Sequence, residues 1–366
     1  MTSVSSSRGT ARLALVASAA ALACIYAAHV VARSADDNGT KFRSNHDMGQ
    51  VLDALADLGG QPIETLTPAQ ARRQPTPADA TRAVLEHKRE STDPARLVPG
   101  VKSVDGAIPG PAGELPIRTY TPAGKGPFPV VVYFHGGGWV LADKAVYDGG
   151  ARGLAAQARA IVVSVDYRLA PEAKFPAQYD DAVAAYRWVA ANAASFGGDP
   201  DKLALAGESA GGNLAVETAI AARDRHLPRP AAIVSVYPVV QLRNLDTASY
   251  ADSATAKPLD KAMMGWFGDQ VFANPQDRAD PRVDLLKNDL HGLPPTTIIS
   301  AQIDPLRSDG DLLAGALKSA GVKVDHAVFD GVTHEFFGMA AVVGDARSAQ
   351  RKAGEDLRAA FRKAKA

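Results

Sequence analysis

The stretch LALAGESAGGNLA, residues 203–215, decides the fold. It begins with an apolar, strand-like run, continues with the pattern G-x-S-x-G and ends in a run that favours a helix. A serine on a tight turn between strand and helix has a strained backbone that exposes its hydroxyl. The dipole of the following helix favours developing negative charge there. The pattern therefore indicates that Ser209 is a nucleophile, and the alternative is a serine that only caps the helix.

Strand-like and helix-like runs alternate on both sides of this stretch. Strands are predicted at 128–134, 160–167, 202–208, 231–239, 296–304 and 323–330, and helices near 149–159, 177–194, 210–224, 309–320 and 345–363. Two short strands are predicted within 101–122, around a Gly/Pro turn. Continuously apolar strands, most of them followed by a helix, predict an α/β fold with a mostly parallel sheet and helices on both faces. Such sheets bind ligands beyond the carboxyl ends of their strands.

A run of three glycines ends the strand in VVVYFHGGGWV, residues 130–140. A nucleophilic serine creates an oxyanion, and losing one backbone donor to that oxyanion raises the barrier by about 3–4 kcal/mol. Glycine lets amides converge on one small volume because it has no Cβ and tolerates unusual backbone angles. We predict that the donors are the N–H groups of Gly137, Gly138 and Ala210, and that Gly136 shapes the turn. The alternative is a flexible glycine loop.

The serine needs a base and an acid that orients the base. Of the eight histidines, His334 lies just past the last predicted strand in a Gly-rich loop. Asp304 ends the preceding strand, directly before Pro305. The chain order Ser209, Asp304, His334 matches that of the α/β-hydrolase triad. We therefore predict these three residues as the triad, although an isolated Asp-Pro also occurs as a plain turn.

Five ordered motifs, HGGGW, DYRLAPE, GESAGGN, DPLRSDG and GVTHEFF, resemble those of the hormone-sensitive-lipase-like family of bacterial esterases. The resemblance spans roughly residues 45–365. It implies an α/β-hydrolase core with a mainly helical cap, and hydrolysis of carboxylic esters without a cofactor. By motif it also assigns Ser209, Asp304 and His334 to the triad, and the glycine amides with Ala210 to the oxyanion hole.

Two positions depart from the family pattern, and several residues near the motifs are expected to support the site. Glu208 stands where Asp is commoner, and Ser308 stands where relatives often have an acid. His135 belongs to the glycine loop. Arg168, Glu172 and Glu208 are predicted to form a partly buried network that braces this loop, the alternative being plain surface charges.

More than 50 residues separate the strands that end at Val239 and begin at Thr296, which is too long for an ordinary crossover. We predict a cap insertion at about 241–290 within a catalytic domain of residues 99–366, completed by N-terminal helices at 47–98. An apolar cluster suits a substrate pocket, although about half of such residues would only attach the cap to the core. The predicted pocket residues are Trp139, Met263, Met264, Trp266 and Phe267.

The N-terminal segment has the composition of an export signal. Arg8 and Arg12 precede the apolar run of residues 13–32. This pattern predicts a secretory signal peptide or a membrane anchor within residues 1–35, with lipid attachment at Cys24 as a third option. Residues 36–46 are predicted to be a linker. The protein is therefore expected to be exported, either periplasmic, secreted or anchored, with membrane contact only through residues 13–32.

Composition narrows the function classes. Lys+Arg and Asp+Glu both number 40, so the basic stripe of a nucleic-acid-binding protein is absent from the sequence. No zinc-binding or phosphate-loop signature occurs, and the single cysteine cannot form an intramolecular disulfide. We predict a serine carboxylesterase for short- to medium-chain acyl esters, with no cofactor and no metal. The alternatives are a deacetylase, an amidase, an arylformamidase or a non-catalytic ligand-binding protein, and assembly as a homodimer stays open.

Overall fold

A central β-sheet organises the chain. The computed structural model describes residues 39–40 and 43–364. The sheet has the order β1-β2-β4-β3-β5-β6-β7-β8. Its strands are β1 (Val101–Gly110), β2 (Gly113–Pro122), β3 (Phe128–Phe134), β4 (Ile161–Val165), β5 (Gly198–Glu208), β6 (Ile233–Val236), β7 (Thr296–Ile303) and β8 (Val324–Thr333). Only the pairs β1–β2 and β2–β4 are antiparallel and the other five pairs are parallel, which confirms the predicted mostly parallel sheet.

Helices cover both faces of this sheet. They are α1 (His46–Asp57), α2 (Pro68–Ala71), α3 (Pro77–His87), α4 (Pro94–Leu97), α5 (Asp148–Ala158), α6 (Ala177–Asn192), α7 (Ala210–Asp224), α8 (Ala248–Asp252), α9 (Lys261–Val271), α10 (Arg307–Ser319) and α11 (Gly344–Lys363). One apolar core contains residues of α6, α7 and α10, and a second contains residues of α5 and α11. The predicted doubly covered α/β fold is confirmed.

Strand β3 shows why the predicted strands have continuously apolar sequences. Val130 and Val132 point into one core, and Val131 and Tyr133 point into the other. Successive side chains of a strand face opposite sides, so a strand covered on both faces is apolar at every position. The sheet therefore leaves its strand ends, rather than its faces, for binding.

The N-terminal helices begin at the predicted Thr-Pro steps. Thr67 and Thr76 each accept a hydrogen bond from a backbone N–H of the first helical turn, and each completes a capping box. Proline follows at the first helical position, where its missing N–H costs nothing. The two short strands predicted within 101–122 are in fact ten residues each, because the hairpin from Val101 to Pro122 pairs along its whole length.

The segment between β6 and β7 contains α8 and α9, and it lies near the N-terminal helices. The Trp266 Nε1–H of α9 donates a hydrogen bond to the Leu66 carbonyl oxygen at 3.1 Å. Leu66 immediately precedes the cap residue of α2. The two parts of the predicted cap, residues 47–98 and 241–290, are thus in contact.

The predicted linker at 36–46 differs from the structure where it is described. Residues 39, 40 and 43 are helical, and Thr40 is buried. The Arg43 guanidinium donates a hydrogen bond to the Asp252 carbonyl oxygen at 2.8 Å. This part of the segment therefore packs on the domain instead of spanning a gap. The predicted signal or anchor at 1–35, with Cys24, lies outside the described residues, within which no helix is long and apolar enough to cross a membrane.

Candidate active site

Ser209 occupies a strained turn between β5 and α7. Its backbone angles are φ 57° and ψ −116°, which non-glycine residues rarely adopt. Its N–H donates to the Val236 carbonyl oxygen at 2.8 Å, and its carbonyl oxygen accepts the Val239 N–H at 3.2 Å. A Cβ at Gly211 would lie 2.0 Å from the Phe134 carbonyl oxygen, so only glycine allows this turn to pack against β3. The turn thus presents the serine hydroxyl at the carboxyl edge of the sheet.

His334 and Asp304 lie at the same edge and form a hydrogen-bonded chain with the serine. His334 Nε2 is 3.0 Å from Ser209 Oγ, and His334 Nδ1 is 2.7 Å from Asp304 Oδ2. Asp304 is fully buried, and its Oδ1 accepts the Leu306 N–H at 2.8 Å. A carboxylate only accepts hydrogen bonds, so Nδ1 carries a proton and Nε2 can accept the serine proton. The structure therefore brings together the three residues predicted as the triad.

The environment of His334 favours its charged form. Burial acts to lower the pKa of His334, but the charge of Asp304 and the hydrogen bond to it raise the pKa. Glu335 and Glu208 raise it further, and the net result lies above the ordinary value. The imidazole can therefore hold a proton while a reaction proceeds.

The glycine loop after β3 has the backbone conformation predicted for converging amides. Gly137 and Gly138 have φ of 91° and 60°. Among the described residues, neither N–H group donates a hydrogen bond to a protein acceptor. Ala210 is the first residue of α7, and the N–H groups at a helix start have no intrahelical acceptor. The Tyr167 hydroxyl donates to the His135 carbonyl oxygen at 2.9 Å and holds the loop from behind.

A cavity of about 1150 Å³ opens at this edge. Ser209, His334, Gly137 and Gly138 contribute to its wall. Much of the rest of its wall comes from two segments outside the sheet, the N-terminal residues between Leu52 and Pro77 and the insertion residues between Lys257 and Phe267. Catalytic groups and cap segments therefore share one space.

Only part of the predicted pocket set faces this cavity. Met263 and Phe267 line it, four residues apart on one face of α9. Trp139, Met264 and Trp266 do not, so their assignment to the pocket is wrong. Trp139 follows the glycine turn with φ 62° and is 1% exposed in the core, while the other two lie on the buried side of α9.

The predicted network of Arg168, Glu172 and Glu208 is also wrong, because each residue has another partner. The Arg168 guanidinium pairs with the buried carboxylate of Asp181 at 2.7 Å. The Glu172 carboxylate pairs with Arg72 at 2.7 Å. Both oxygens of Glu208 accept hydrogen bonds from tyrosine hydroxyls. The nearness of the motifs in the sequence did not reveal these three different partners.

Arg72 is a supporting residue that sequence reasoning missed. Its Nε donates to the Val140 carbonyl oxygen at 2.9 Å, and its NH2 group donates to the Ala170 carbonyl oxygen at 2.7 Å. The Ala170 N–H donates to the Trp139 carbonyl oxygen at 2.9 Å. An arginine of the N-terminal helices thus holds the segment after the glycine loop. No motif signals this role, because Arg72 lies about 60 residues before that loop.

A second serine–histidine–aspartate chain joins β7, β8 and α10. Ser300 Oγ is 3.0 Å from His326 Nε2, and His326 Nδ1 is 3.8 Å from Asp311 Oδ1. Ser300 lies within β7, is 1% exposed and does not line the cavity. Side-chain identity alone therefore does not make a serine nucleophilic. The residues of this second chain serve as controls for substitutions in the proposed triad. Within the described residues, no group of three or more His, Cys, Asp or Glu side chains could hold a metal ion.

A serine, an aspartate and a histidine, in this chain order and directly after β5, β7 and β8, are the arrangement of α/β hydrolases. A family model described as alpha/beta hydrolase fold matches residues 131–338. The chain belongs to this family, in agreement with the resemblance to hormone-sensitive-lipase-like esterases.

Esterases are among the proteins similar to this chain. Carboxylesterase NlhH of Mycobacterium tuberculosis is 38% identical over 281 residues, which are 75% of this chain and 88% of that protein. The hyperthermophilic esterase of Pyrobaculum calidifontis has a TM-score of 0.75 at 35% identity, covering 84% of this chain and 96% of that one. A thermostable esterase of Pseudomonas putida ECU1011 has a TM-score of 0.77 at 31% identity, covering 87% and 98%. The chain is thus a carboxylic ester hydrolase, as predicted.

Proposed function

We propose that Ser209, His334 and Asp304 hydrolyse carboxylic esters through an acyl-enzyme. The observation that carries this proposal is the hydrogen-bonded chain from Ser209 Oγ through His334 to Asp304, which faces the cavity. His334 Nε2 takes the serine proton as Ser209 Oγ attacks the ester carbonyl carbon. The same proton passes to the departing alcohol. His334 then activates water, which releases the acid and restores the serine.

The oxyanion of each tetrahedral intermediate is bound by the N–H groups of Gly137, Gly138 and Ala210 in this proposal. Two of these amides belong to the positive-φ loop, and the third begins α7, where the helix dipole adds to the attraction. Such preorganised donors need no reorganisation when charge develops. His135 and Gly136 support the loop through the Tyr167 hydroxyl, which lies 2.9 Å and 3.3 Å from their carbonyl oxygens.

The substrates are proposed to be short- to medium-chain acyl esters. Met263 and Phe267 give the wall of the cavity an apolar side near Gly138, which suits an acyl chain. A space of about 1150 Å³ exceeds what an acetyl group needs, so we expect activity to extend to medium chains.

Turnover of nitrophenyl esters with acyl chains from two to sixteen carbons tests this function. Ser209→Ala should abolish turnover of the whole series, and Ser300→Ala should leave it unchanged, because Ser300 lies outside the cavity. Matched nitroanilides test amidase activity, and acetylated sugars test deacetylase activity. Equal turnover by wild type and Ser209→Ala would refute the proposal.

The pH profile provides an independent test. The base must be neutral, and the pKa of His334 is raised above its ordinary value of about 6.5. We therefore expect kcat/KM to rise with pH, with its midpoint above about 6.5. A profile that is flat between pH 5 and 8 would contradict a histidine base.

We also propose that the protein is exported, on the strength of the apolar run at 13–32 and the arginines before it. Cell fractionation and N-terminal sequencing of the mature protein distinguish a cleaved signal from a retained anchor. Recovery of the full-length chain in the cytosol would contradict export. Size-exclusion chromatography with light scattering tests the homodimer.

A further inference from the structure

Two glutamates adjoin the proposed catalytic residues in the sequence. Glu208 directly precedes Ser209, and Glu335 directly follows His334. Glu208 is 1% exposed, while Glu335 is half-buried and lines the cavity. A carboxyl group removed from water is costly unless it is hydrogen-bonded or paired with a positive charge. The groups that bind the carboxyl oxygens of Glu208 and Glu335 therefore indicate what these two residues do.

Tyrosines, rather than basic residues, bind both carboxyl groups. The Tyr133 and Tyr237 hydroxyls each donate to one oxygen of Glu208. The Tyr147 hydroxyl donates to Oε1 of Glu335. The pKa of each tyrosine is raised well above its ordinary value, mainly by burial, so the three hydroxyls remain donors. Within the described part of the chain, neither glutamate forms an ion pair with lysine or arginine.

When His334 is protonated, it is the positive charge on which both glutamates act. Burial raises the pKa of Glu208 to about 8, and the charge on Glu335 contributes to this rise. Burial also raises the pKa of Glu335, whereas protonated His334 lowers it. The Tyr237 ring lies 4.5 Å from the His334 ring and joins the imidazole to the Glu208 side of the pair.

The backbone at Glu335 is strained. Its φ of 70° lies in the left-handed region, which is unfavourable for a residue with a Cβ. Such strain persists where the surroundings hold a residue in place, and it clusters at functional sites. Here the Tyr147 hydroxyl holds the side chain, and a Cβ added at Gly136 would lie 2.2 Å from the same hydroxyl oxygen. Glu335 is thus held between His334 and the glycine loop.

We propose that Glu335 is a positioning residue of the esterase reaction. Together with Glu208 it forms a tyrosine-bound carboxyl pair beside His334, and the negative charge that Glu335 carries in this pair stabilises the imidazolium ion formed when Ser209 attacks. The pair acts through charge and takes no proton from the substrate. The serine proton goes to His334 Nε2 and then to the leaving alcohol. This inference rests on the proposed triad mechanism.

The size of the effect depends on the other groups around the imidazole. His334 is hydrogen-bonded to Asp304 after β7 and lies beside the Tyr237 ring after β6, and the charges of Glu208 at the end of β5 and of the adjacent Glu335 act on it. Asp304 makes the direct hydrogen bond and has the larger influence. Removing the Glu335 charge should therefore shift the titration of His334 without abolishing catalysis.

Glu335→Gln tests the proposal because glutamine keeps the shape and can still accept the Tyr147 hydrogen bond. Losing a nearby negative charge lowers the pKa of His334, so the rising limb of kcat/KM moves to lower pH. We expect a shift of about 0.5–1 pH unit. Plateau kcat should fall by about 3–10-fold, since the imidazolium loses the same stabilisation. Glu335→Asp keeps the charge and should return the midpoint to within about 0.3 unit of wild type.

Glu217→Gln is the matched control. Glu217 is a buried carboxyl group on α7 whose pKa is raised to about 8, and it does not line the cavity. Its replacement should leave the midpoint unchanged. If Glu335→Gln fails to fold, Tyr147→Phe takes its place, because removing the donor raises the pKa of Glu335 and should give a smaller shift in the same direction.

An unchanged midpoint in folded Glu335→Gln or Tyr147→Phe, or a shift to higher pH, would overturn the proposal. A lowered melting temperature with an unchanged midpoint would assign Glu335 a structural role only, and would also overturn it. Retained activity in Ser209→Ala is a different result, because it refutes the triad mechanism itself.

Discussion

Replacing Asp304 by asparagine changes one oxygen of the site into an NH2 group, and the structure determines where that group points. Asp304 Oδ1 accepts the Leu306 N–H at 2.8 Å, so the amide oxygen of asparagine takes this position. The NH2 group then faces His334 Nδ1, which is 2.7 Å from Oδ2 in the wild type. Nδ1 must become an acceptor, the proton moves to Nε2, and Nε2 can no longer take the proton of Ser209.

The expected loss follows from this wrong tautomer. The same replacement in another serine-hydrolase triad lowers kcat about 10⁴-fold. A loss of that size corresponds to about 5 kcal/mol in the activation barrier. We expect a fall in kcat of about 10³–10⁴-fold at pH 8, with KM changed only slightly, because Asp304 is fully buried and does not line the cavity.

Initial rates with nitrophenyl butyrate, together with circular dichroism to show that the variant is folded, measure this effect. Asp311→Asn is the matched control: it removes the aspartate of the second serine–histidine–aspartate chain and should leave kcat within twofold, on the order of the effect of an ordinary surface change. A loss below about tenfold in folded Asp304→Asn, or an equal loss in Asp311→Asn, would refute the assignment of the acid.

Two further substitutions test the glycine loop and the corrected ion pair. Gly138→Ala adds a Cβ 2.3 Å from the Phe267 ring at φ 60° and should lower kcat about 10²-fold. Gly197→Ala is the control, because Gly197 has φ 85° with open space around it. This variant should lose only about 1 kcal/mol of stability and no activity. Equal kcat values in the two variants would contradict the oxyanion-hole assignment. Arg168→Ala leaves the buried Asp181 carboxylate without its guanidinium, so denaturant titration should show a loss of about 3 kcal/mol with kcat unchanged. A loss of kcat at full stability would contradict a purely structural role for this ion pair.

The strand ends could be predicted from the sequence because they depend on local signals. The predicted strands 202–208, 296–304 and 323–330 correspond to β5, β7 and β8, and Ser209, Asp304 and His334 were predicted at or just past their ends. Parallel strands deliver their carboxyl ends to one edge, so residues far apart in the chain were expected to meet there. The hydrogen-bonded chain in the structure agrees with this reasoning.

Side-chain direction could not be predicted in the same way. Trp139 has a positive φ and its indole is buried in the core. Helical spacing would place Trp266 beside Met263 and Phe267, but its indole binds the Leu66 carbonyl oxygen and does not line the cavity. Arg168 follows β4, but its partner Asp181 lies thirteen residues later on α6. Each of these outcomes depends on tertiary packing that a motif does not record.

Glu335 had a weak signal in the sequence. An acid directly after the proposed base, followed by two phenylalanines, is surrounded by residues that favour burial. Its proposed role depends on the tertiary contacts of Glu208 and Glu335 with three tyrosines, which the sequence does not indicate.

The hydrogen bond between Trp266 and Leu66 has a consequence for how this enzyme diverges. The proposed triad lies at strand ends, whereas much of the cavity wall comes from two segments outside the sheet, within 47–98 and 241–290. Mutation, insertion or recombination in those segments can change which molecules enter without disturbing the reacting atoms. Related enzymes can therefore acquire a different range of ester substrates by exchanging the N-terminal helices together with α9, provided that these two segments still pack against each other.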